Sequence, residues 1–305
     1  MTKRLFRHEH PILLGLLILG GISILFWGGI TFFVSHATSS AQKDYFGKKN
    51  GIGIVEIKGI IFSSEELLEE LRDFRENDAV KAIVVRLDSP GGAVGASQEL
   101  FTEIRRTNKA KPVIASMGSV AASGAYYAAL GAQKILASPG TLTGSIGVIL
   151  KFANLEELFG KIGYRSEVVK SGKLKDIGSP ERPLTPEERA LLQGIIDNVH
   201  QQFIRDVATS RSLPEEKVKN LADGRIFSGE QAKNQGLIDQ FGNFEDAIVL
   251  AAKTAGLDTQ KPHLIYPREK DFSLLNLLTG EQGATLKDRL LNRAPALSYE
   301  WALGR

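Results

Sequence analysis

The pattern of apolar and polar positions breaks the chain into distinct zones. Residues 11–34 run without a charge and are dominated by Leu, Ile, Phe and Gly. As a helix that stretch would span about 36 Å, against about 30 Å for the hydrocarbon core of a bilayer. It therefore predicts a transmembrane anchor; a signal peptide cleaved after Ala37 is the other reading of the same stretch. Residues 1–10 form a short basic tail, 35–50 are polar and aperiodic like a linker, and 51–266 alternate strand and helix patterns. Residues 267–305 are a tail of weak helical segments, an assembly element in expectation.

Within the body, 52–61 and 80–87 are rich in β-branched residues and read as strands, followed by 112–117 and 134–137. Helical spacing marks 64–76, with Leu67, Leu68, Leu71 and Phe74 on one face, and continues over 94–107. A small-residue helix is expected over 124–131, and residues 141–150 read as a Thr/Gly-rich turn leading into an apolar strand. Further on, 154–160 is helical, 165–170 reads as a short strand, and 186–211 as a long helix. Thr185 and Glu188 stand at capping-box spacing before that helix. Two more helices are expected over 214–221 and 244–255. Continuous apolar strands alternating with helices predict an α/β fold with a mainly parallel sheet.

Composition removes several kinds of chemistry. The 305 residues contain no cysteine, which excludes disulfides, thiolate metal sites and a cysteine nucleophile. Thirty-eight Lys and Arg against 35 Asp and Glu give a net charge of only +3. No basic run is interleaved with aromatics, so nucleic acid is not an expected partner. Of five histidines, His8, His10 and His36 flank the apolar stretch, leaving His200 and His263 in the body. Neither neighbours a Gly-rich loop, so a Ser-His-Asp triad has little to draw on.

The positive charges flanking 11–34 tie in number, Lys3, Arg4 and Arg7 against Lys43, Lys48 and Lys49. The N-terminal ones lie closer to the apolar stretch, which places the N-terminus in the cytoplasm and the body outside. No glycine pair in the stretch is spaced four apart, so it reads as an anchor and not as a dimerisation face.

Two short motifs carry the candidate chemistry. Ser123 lies between Ala121-Ala122 and Gly124 at the start of the small-residue helix, where free N–H groups and the helix dipole favour an oxyanion. A serine there is equally a helix cap. Asp88-Ser89-Pro90-Gly91-Gly92 ends a strand, and its glycine pair permits close approach of a ligand. Gly92 could supply a second oxyanion donor opposite Gly124. A base must then come from elsewhere; Lys173 and Lys175 in Ser171-Gly172-Lys173-Leu174-Lys175-Asp176 qualify only if an amine is held neutral. Spacing alone brings neither to Ser123.

Taken in order, these motifs resemble the signal peptide peptidase A (SppA) family in its short, single-repeat, membrane-anchored form. The similarity also includes Gly118 to Tyr127, Leu142-Thr143-Gly144-Ser145-Ile146-Gly147-Val148, Ala222-Asp223-Gly224-Arg225 and Gly236-Leu237-Ile238-Asp239, and extends over residues 51–250. It implies a ClpP/crotonase-like α/β fold preceded by one transmembrane helix. It implies a Ser–Lys dyad, with Ser123 as nucleophile, Lys175 as general base, Gly92 and Gly124 as oxyanion donors, and Ser145 as the hydroxyl that orients the lysine. No metal or cofactor enters that chemistry. The family further implies a homo-octamer in which neighbouring protomers complete each site, anchored in a bacterial inner membrane with the catalytic domain outside. Its substrates would be remnant signal peptides cut within their apolar region. A related membrane serine peptidase of the SohB or stomatin-partner type is the competing reading. One departure is that Ala125 follows Gly124, where many members have a second glycine.

Overall fold

The computed structural model describes residues 19–21, 23, 25–29, 49–267 and 298–300. The chain divides into one unit over residues 1–49 and a second over residues 50–305. In the first unit residues 19–21, 23 and 25–29 are helical and exposed where described, including Leu25, Phe26 and Trp27. Most of the expected anchor over 11–34, and its flanks, lie outside the described residues. Among those described, no helix is long and apolar enough to cross a membrane.

In the second unit, the apolar runs form the strands of an eight-stranded sheet ordered β7-β6-β4-β2-β1-β9, with β5 pairing β4 and β8. The strands are β1 (Gly51–Lys58), β2 (Val80–Ser89), β4 (Val113–Ala122), β5 (Lys134–Ala137), β6 (Leu142–Gly144), β7 (Ile226–Ser228), β8 (Gln240–Phe241) and β9 (Leu264–Ile265). All pairings are parallel except β6 with β7. Both faces of the central strands are covered, which is why they read as continuous apolar runs. Val55 and Ile57 of β1, with Ile83, Val85 and Leu87 of β2, enter the larger core. Ile52 and Ile54, with Ala82 and Val84, meet Ala247, Ile248, Ala251 and Ala252 of α8 (Phe244–Thr254) on the other face.

The larger core is closed by α1 (Glu65–Glu76), α2 (Val94–Ala110), α3 (Gly124–Ala129) and α5 (Pro186–Arg211). The short helices α4 (Glu156–Lys161), α6 (Glu215–Leu221) and α7 (Gly229–Gln235) complete the set. The layered α/β arrangement with a mainly parallel sheet is the one expected. Thr185 and Glu188 form the expected capping box at the start of α5.

Two expectations fail. Residues 165–170 are not a strand: they are irregular and exposed, with Val169 fully so. A strand needs a partner for its ladder, and among the described residues no other segment supplies one. The strand expected toward residue 150 is limited to β6, because Ser145 turns the chain with φ of 51° and its N–H donates to the Arg225 carbonyl at 2.8 Å.

A second, two-stranded sheet is formed by β3 (Gly91–Ala93) and β10 (Ser298–Glu300), running antiparallel with Tyr299 opposite Gly92. The tail expected to be weakly helical thus contributes a strand where it is described.

Candidate active site

Two strand ends and a helix start converge on Ser123. Parallel pairing sets Ser89 of β2 beside Ala121 of β4, and Ala122 beside Gly144 of β6. The Asp88 carboxylate accepts the Val120 N–H at 3.0 Å and ties the end of β2 to β4. The Ser89 hydroxyl accepts the Gly91 N–H at 3.1 Å, turning the chain into β3, with Gly91 at φ of 102°. The Ser123 N–H donates to the Gly144 carbonyl at 2.8 Å, and the Thr143 hydroxyl donates to the Ala121 carbonyl at 2.7 Å.

Ser123 occupies the cap position of α3, and its carbonyl accepts the Tyr127 N–H at 2.9 Å, but its hydroxyl makes no capping bond. Its backbone has φ of 55° and ψ of −116°, a sparsely populated region for any residue with a Cβ. An ordinary serine cap is extended and aims its oxygen at the helix. This residue instead sits on a sharp strand-to-helix turn, the geometry that projects a nucleophile away from its own backbone. The helix behind it is rigid: every residue of α3 is buried. The Tyr126 hydroxyl donates to the Leu237 carbonyl at 2.9 Å, and that of Tyr127 donates to Asp206.

Gly92 and Gly124 are brought into contact. A Cβ on Gly124 would lie 3.1 Å from the Gly92 nitrogen, and one on Gly92 would lie 2.0 Å from the Ile61 carbonyl oxygen. On the Ile61 side, the bonds are made by the Gly91 carbonyl and the Ala93 N–H. By alternation, the polar groups of Gly92 face the opposite edge, the edge that β10 takes. Beyond that edge, β10 also lies against α2 and α3. Ser123 is 1% exposed and Ser145 7%.

Lys175 is not part of this cluster. It is exposed, on a loop of successive turns after α4, and forms no hydrogen bond or ion pair with Ser123 or Ser145 among the described residues. Lys173 is engaged with Glu187 of α5. Neither His200 nor His263 makes a side-chain hydrogen bond to Ser123 among the described residues, and the His200 Nε2 is buried without a partner. Clefts of about 460 and 580 Å³ open elsewhere on the surface, and Ser123 lines neither. Within one chain, then, the serine, both glycines and Ser145 are assembled, and the exposed lysine makes no bond to either serine.

Two contributors escaped the sequence reading. One is β10, whose pairing partner is a glycine edge with no side-chain signature. The other is Arg182, which grips the lysine loop and whose only signal was its place just before the Thr185 cap.

Residues 105–258 match peptidase family S49. The "Putative protease slr0021" of Synechocystis is 45% identical over 243 residues, covering 78% of this chain and 87% of that one. The "Putative signal peptide peptidase SppA" of Enterococcus faecium is 35% identical over 238 residues, covering 75% and 69%. "Protease 4" of Salmonella typhi is 36% identical over 258 residues and longer, so that the chain spans 41% of it. In fold, the chain is similar to the 1510-N membrane-bound stomatin-specific protease, with a TM-score of 0.50 at 18% identity over 73% of this chain and all of the other. With a strained serine at a strand-to-helix turn and relatives of this extent, the chain belongs to peptidase family S49, as a serine protease of the SppA kind.

Proposed function

We propose that the chain is a membrane-anchored endopeptidase that attacks peptide carbonyls with Ser123, using Lys175 as base, and degrades remnant signal peptides within their apolar region. The observation that carries this reading is the strained backbone of Ser123 beside the paired glycines. Neutral Lys175 takes the Ser123 proton as the hydroxyl attacks. The N–H groups of Gly92 and Gly124 face the oxygen that becomes an anion. Lys175 returns the proton to the leaving amine, and water then repeats the sequence on the acyl-enzyme. Ser145, one residue beyond the carbonyl that holds the Ser123 N–H, is suited to orient the amine. An extended peptide would lie antiparallel on β3, as β10 does, with its alternate side chains facing α2 and α3.

Because the exposed Lys175 makes no bond to Ser123 within one chain, the dyad is completed between protomers of a ring, an octamer in this reading. The arm that bears it exposes Leu158, Ile162, Tyr164, Val168 and Val169, apolar surface suited to a second copy of the chain. The name of the Enterococcus relative supports the substrate class, and the uncharged stretch 11–34 supports a bacterial inner-membrane anchor with the body outside.

Mixed assembly tests the arrangement. Ser123→Ala and Lys175→Ala should each abolish cleavage of an apolar signal peptide and labelling by a fluorophosphonate. Co-assembled, they should regain activity, since some interfaces then pair an intact serine with an intact lysine. Lys173→Ala should retain most of its activity. An active Lys175→Ala variant would refute the dyad, and failure of the mixture to recover would refute completion between protomers. Product mapping on a signal peptide against a folded membrane protein separates this substrate class from the SohB or stomatin-partner type.

A further inference from the structure

The loop carrying Lys175 has little of its own to hold it. Its backbone bonds are local, Lys175 N–H to Gly172 O at 3.1 Å, Ile177 to Leu174 at 3.2 Å and Ser179 to Asp176 at 3.1 Å. Such turns fix curvature but not the place of the loop on the protein. Apart from the exposed pair of Lys173 with Glu187, what ties it to the start of α5 is one guanidinium. Arg182 Nε donates to Asp176 Oδ2 at 3.2 Å and Nη2 lies 3.0 Å from Oδ1. The same group donates from Nη1 and Nη2 to both carboxylate oxygens of Glu188, at 2.8 and 2.6 Å.

Glu188 is a firm anchor. Its side chain is 3% exposed, it accepts the Thr185 N–H at 2.9 Å, and it belongs to the first turn of the 26-residue helix α5. The Arg182 and Glu188 pair is planar and two-pronged, so it fixes direction as well as distance. Lysine at that position could offer only a point charge. Lys170 sets a second cation against Asp176, at 2.5 Å. The carboxyl of Asp176 is accordingly held well below the usual range, by Arg182 first and then Lys170.

We propose that Arg182 is a positioning residue for Lys175: it fastens Asp176, the next residue in the chain, to the buried start of α5, and thereby sets where the amine stands. This rests on the reading of Lys175 as the base. A second consequence concerns charge. Of the charged groups on the loop and the facing turn of α5, Lys173 is engaged with Glu187, and Asp176 and Glu188 are neutralised by Arg182 and Lys170. Glu181, farther along the loop, accepts the Tyr164 hydroxyl at 3.3 Å, so the carboxylate next to Lys175 in sequence, Asp176, is already paired with other cations.

The experiment uses the full chain in its assembled state. In Arg182→Gln, kcat on a quenched apolar peptide should fall about 10²-fold, the effect expected of a reacting group displaced by about 1 Å, with KM within about twofold. The ascending limb of the pH profile should move up, because Asp176, left with Lys170 alone, can then pair with Lys175. Arg182→Lys should recover part of the rate. A structural defect alone would not move the limb, so a lowered kcat with an unmoved limb overturns the proposal. A wild-type kcat in Arg182→Gln alongside an inactive Lys175→Ala also overturns it and leaves the dyad standing. An active Lys175→Ala removes the dyad and the proposal together. Should Arg182→Gln fail to fold, Asp176→Asn keeps the size of the gripped side chain; it should lower kcat about tenfold, and an unchanged kcat overturns the proposal.

Discussion

Replacing Gly124 by alanine would press a methyl group into the seam between the two glycines. The added Cβ would lie 2.4 Å from Ser97 Oγ, 3.1 Å from Gly92 N and 3.3 Å from Ser97 Cβ. Only the first is an outright collision, and it involves one removable atom. Overpacking of this kind costs about 1–3 kcal/mol, so Gly124→Ala alone should lose about 2 kcal/mol. Ser97→Ala alone forfeits the hydroxyl bond to the Ala93 carbonyl, 2.9 Å long in the first turn of α2, at about 1 kcal/mol. Independent effects would sum to a loss of about 3 kcal/mol in the double variant. Removing the colliding oxygen instead predicts a double variant no worse than about 1.5 kcal/mol, a coupling of about 1.5 kcal/mol. Urea unfolding of the four proteins followed by circular dichroism measures this directly. Activity should follow the same pattern: Gly124→Ala keeps its N–H but shifts it against Gly92, costing up to about 10²-fold in kcat, and Ser97→Ala should restore most of that. Strict additivity in both readouts would refute the account of how these glycines meet.

Three further outcomes are expected. Ser123→Gly should be more stable than Ser123→Ala by about 1 kcal/mol, since relief of about 1–3 kcal/mol of backbone strain outweighs about 0.5–1 kcal/mol of added chain entropy; equal urea midpoints would argue against strain. The Arg182 guanidinium, helped by the Thr185 N–H, holds the Glu188 carboxyl down at about 2 against an ordinary 4.5. A depressed folded-state value stabilises above the unfolded one and is lost as pH falls. Stability should therefore decline from pH 4.5 toward 2, and less steeply in Arg182→Met; parallel curves would remove Glu188 from the acid response. Deleting residues 298–305 should lower KM for extended peptides with kcat unchanged, because the outer edge of β3 is then open; an unchanged KM would mean that peptides do not use that edge.

Much of this architecture was readable from the chain because its causes are local. Pro186 after Thr185, with Glu188 three residues beyond the cap, marks a helix start whatever surrounds it, and α5 begins there. The middles of β1 and β2, Ile54-Val55 and Ala82 to Val85, are apolar at successive positions because both faces of the sheet are covered. Residues 165–170 misled because Val168 and Val169 carry strand preference without a partner, and preference alone cannot close a ladder. Ser123 was ambiguous for a different reason. A helix cap and a nucleophile turn ask for the same residue type in the same place, and only the backbone angles distinguish them. The lysine loop could not be placed because side-chain forks between its turns and the start of the following helix leave no periodic trace.

The pairing of β10 with β3 also bears on which peptides this protein can process. A strand carried on the same chain meets its site at an effective concentration commonly on the order of mM. A dilute peptide arriving from solution, even one of equal intrinsic affinity, would seldom find the edge free. A peptide confined to the same small volume, through its own attachment or by crowding at a surface, would compete on level terms. The tail thus acts as a concentration threshold, favouring what accumulates beside the protein over what drifts past.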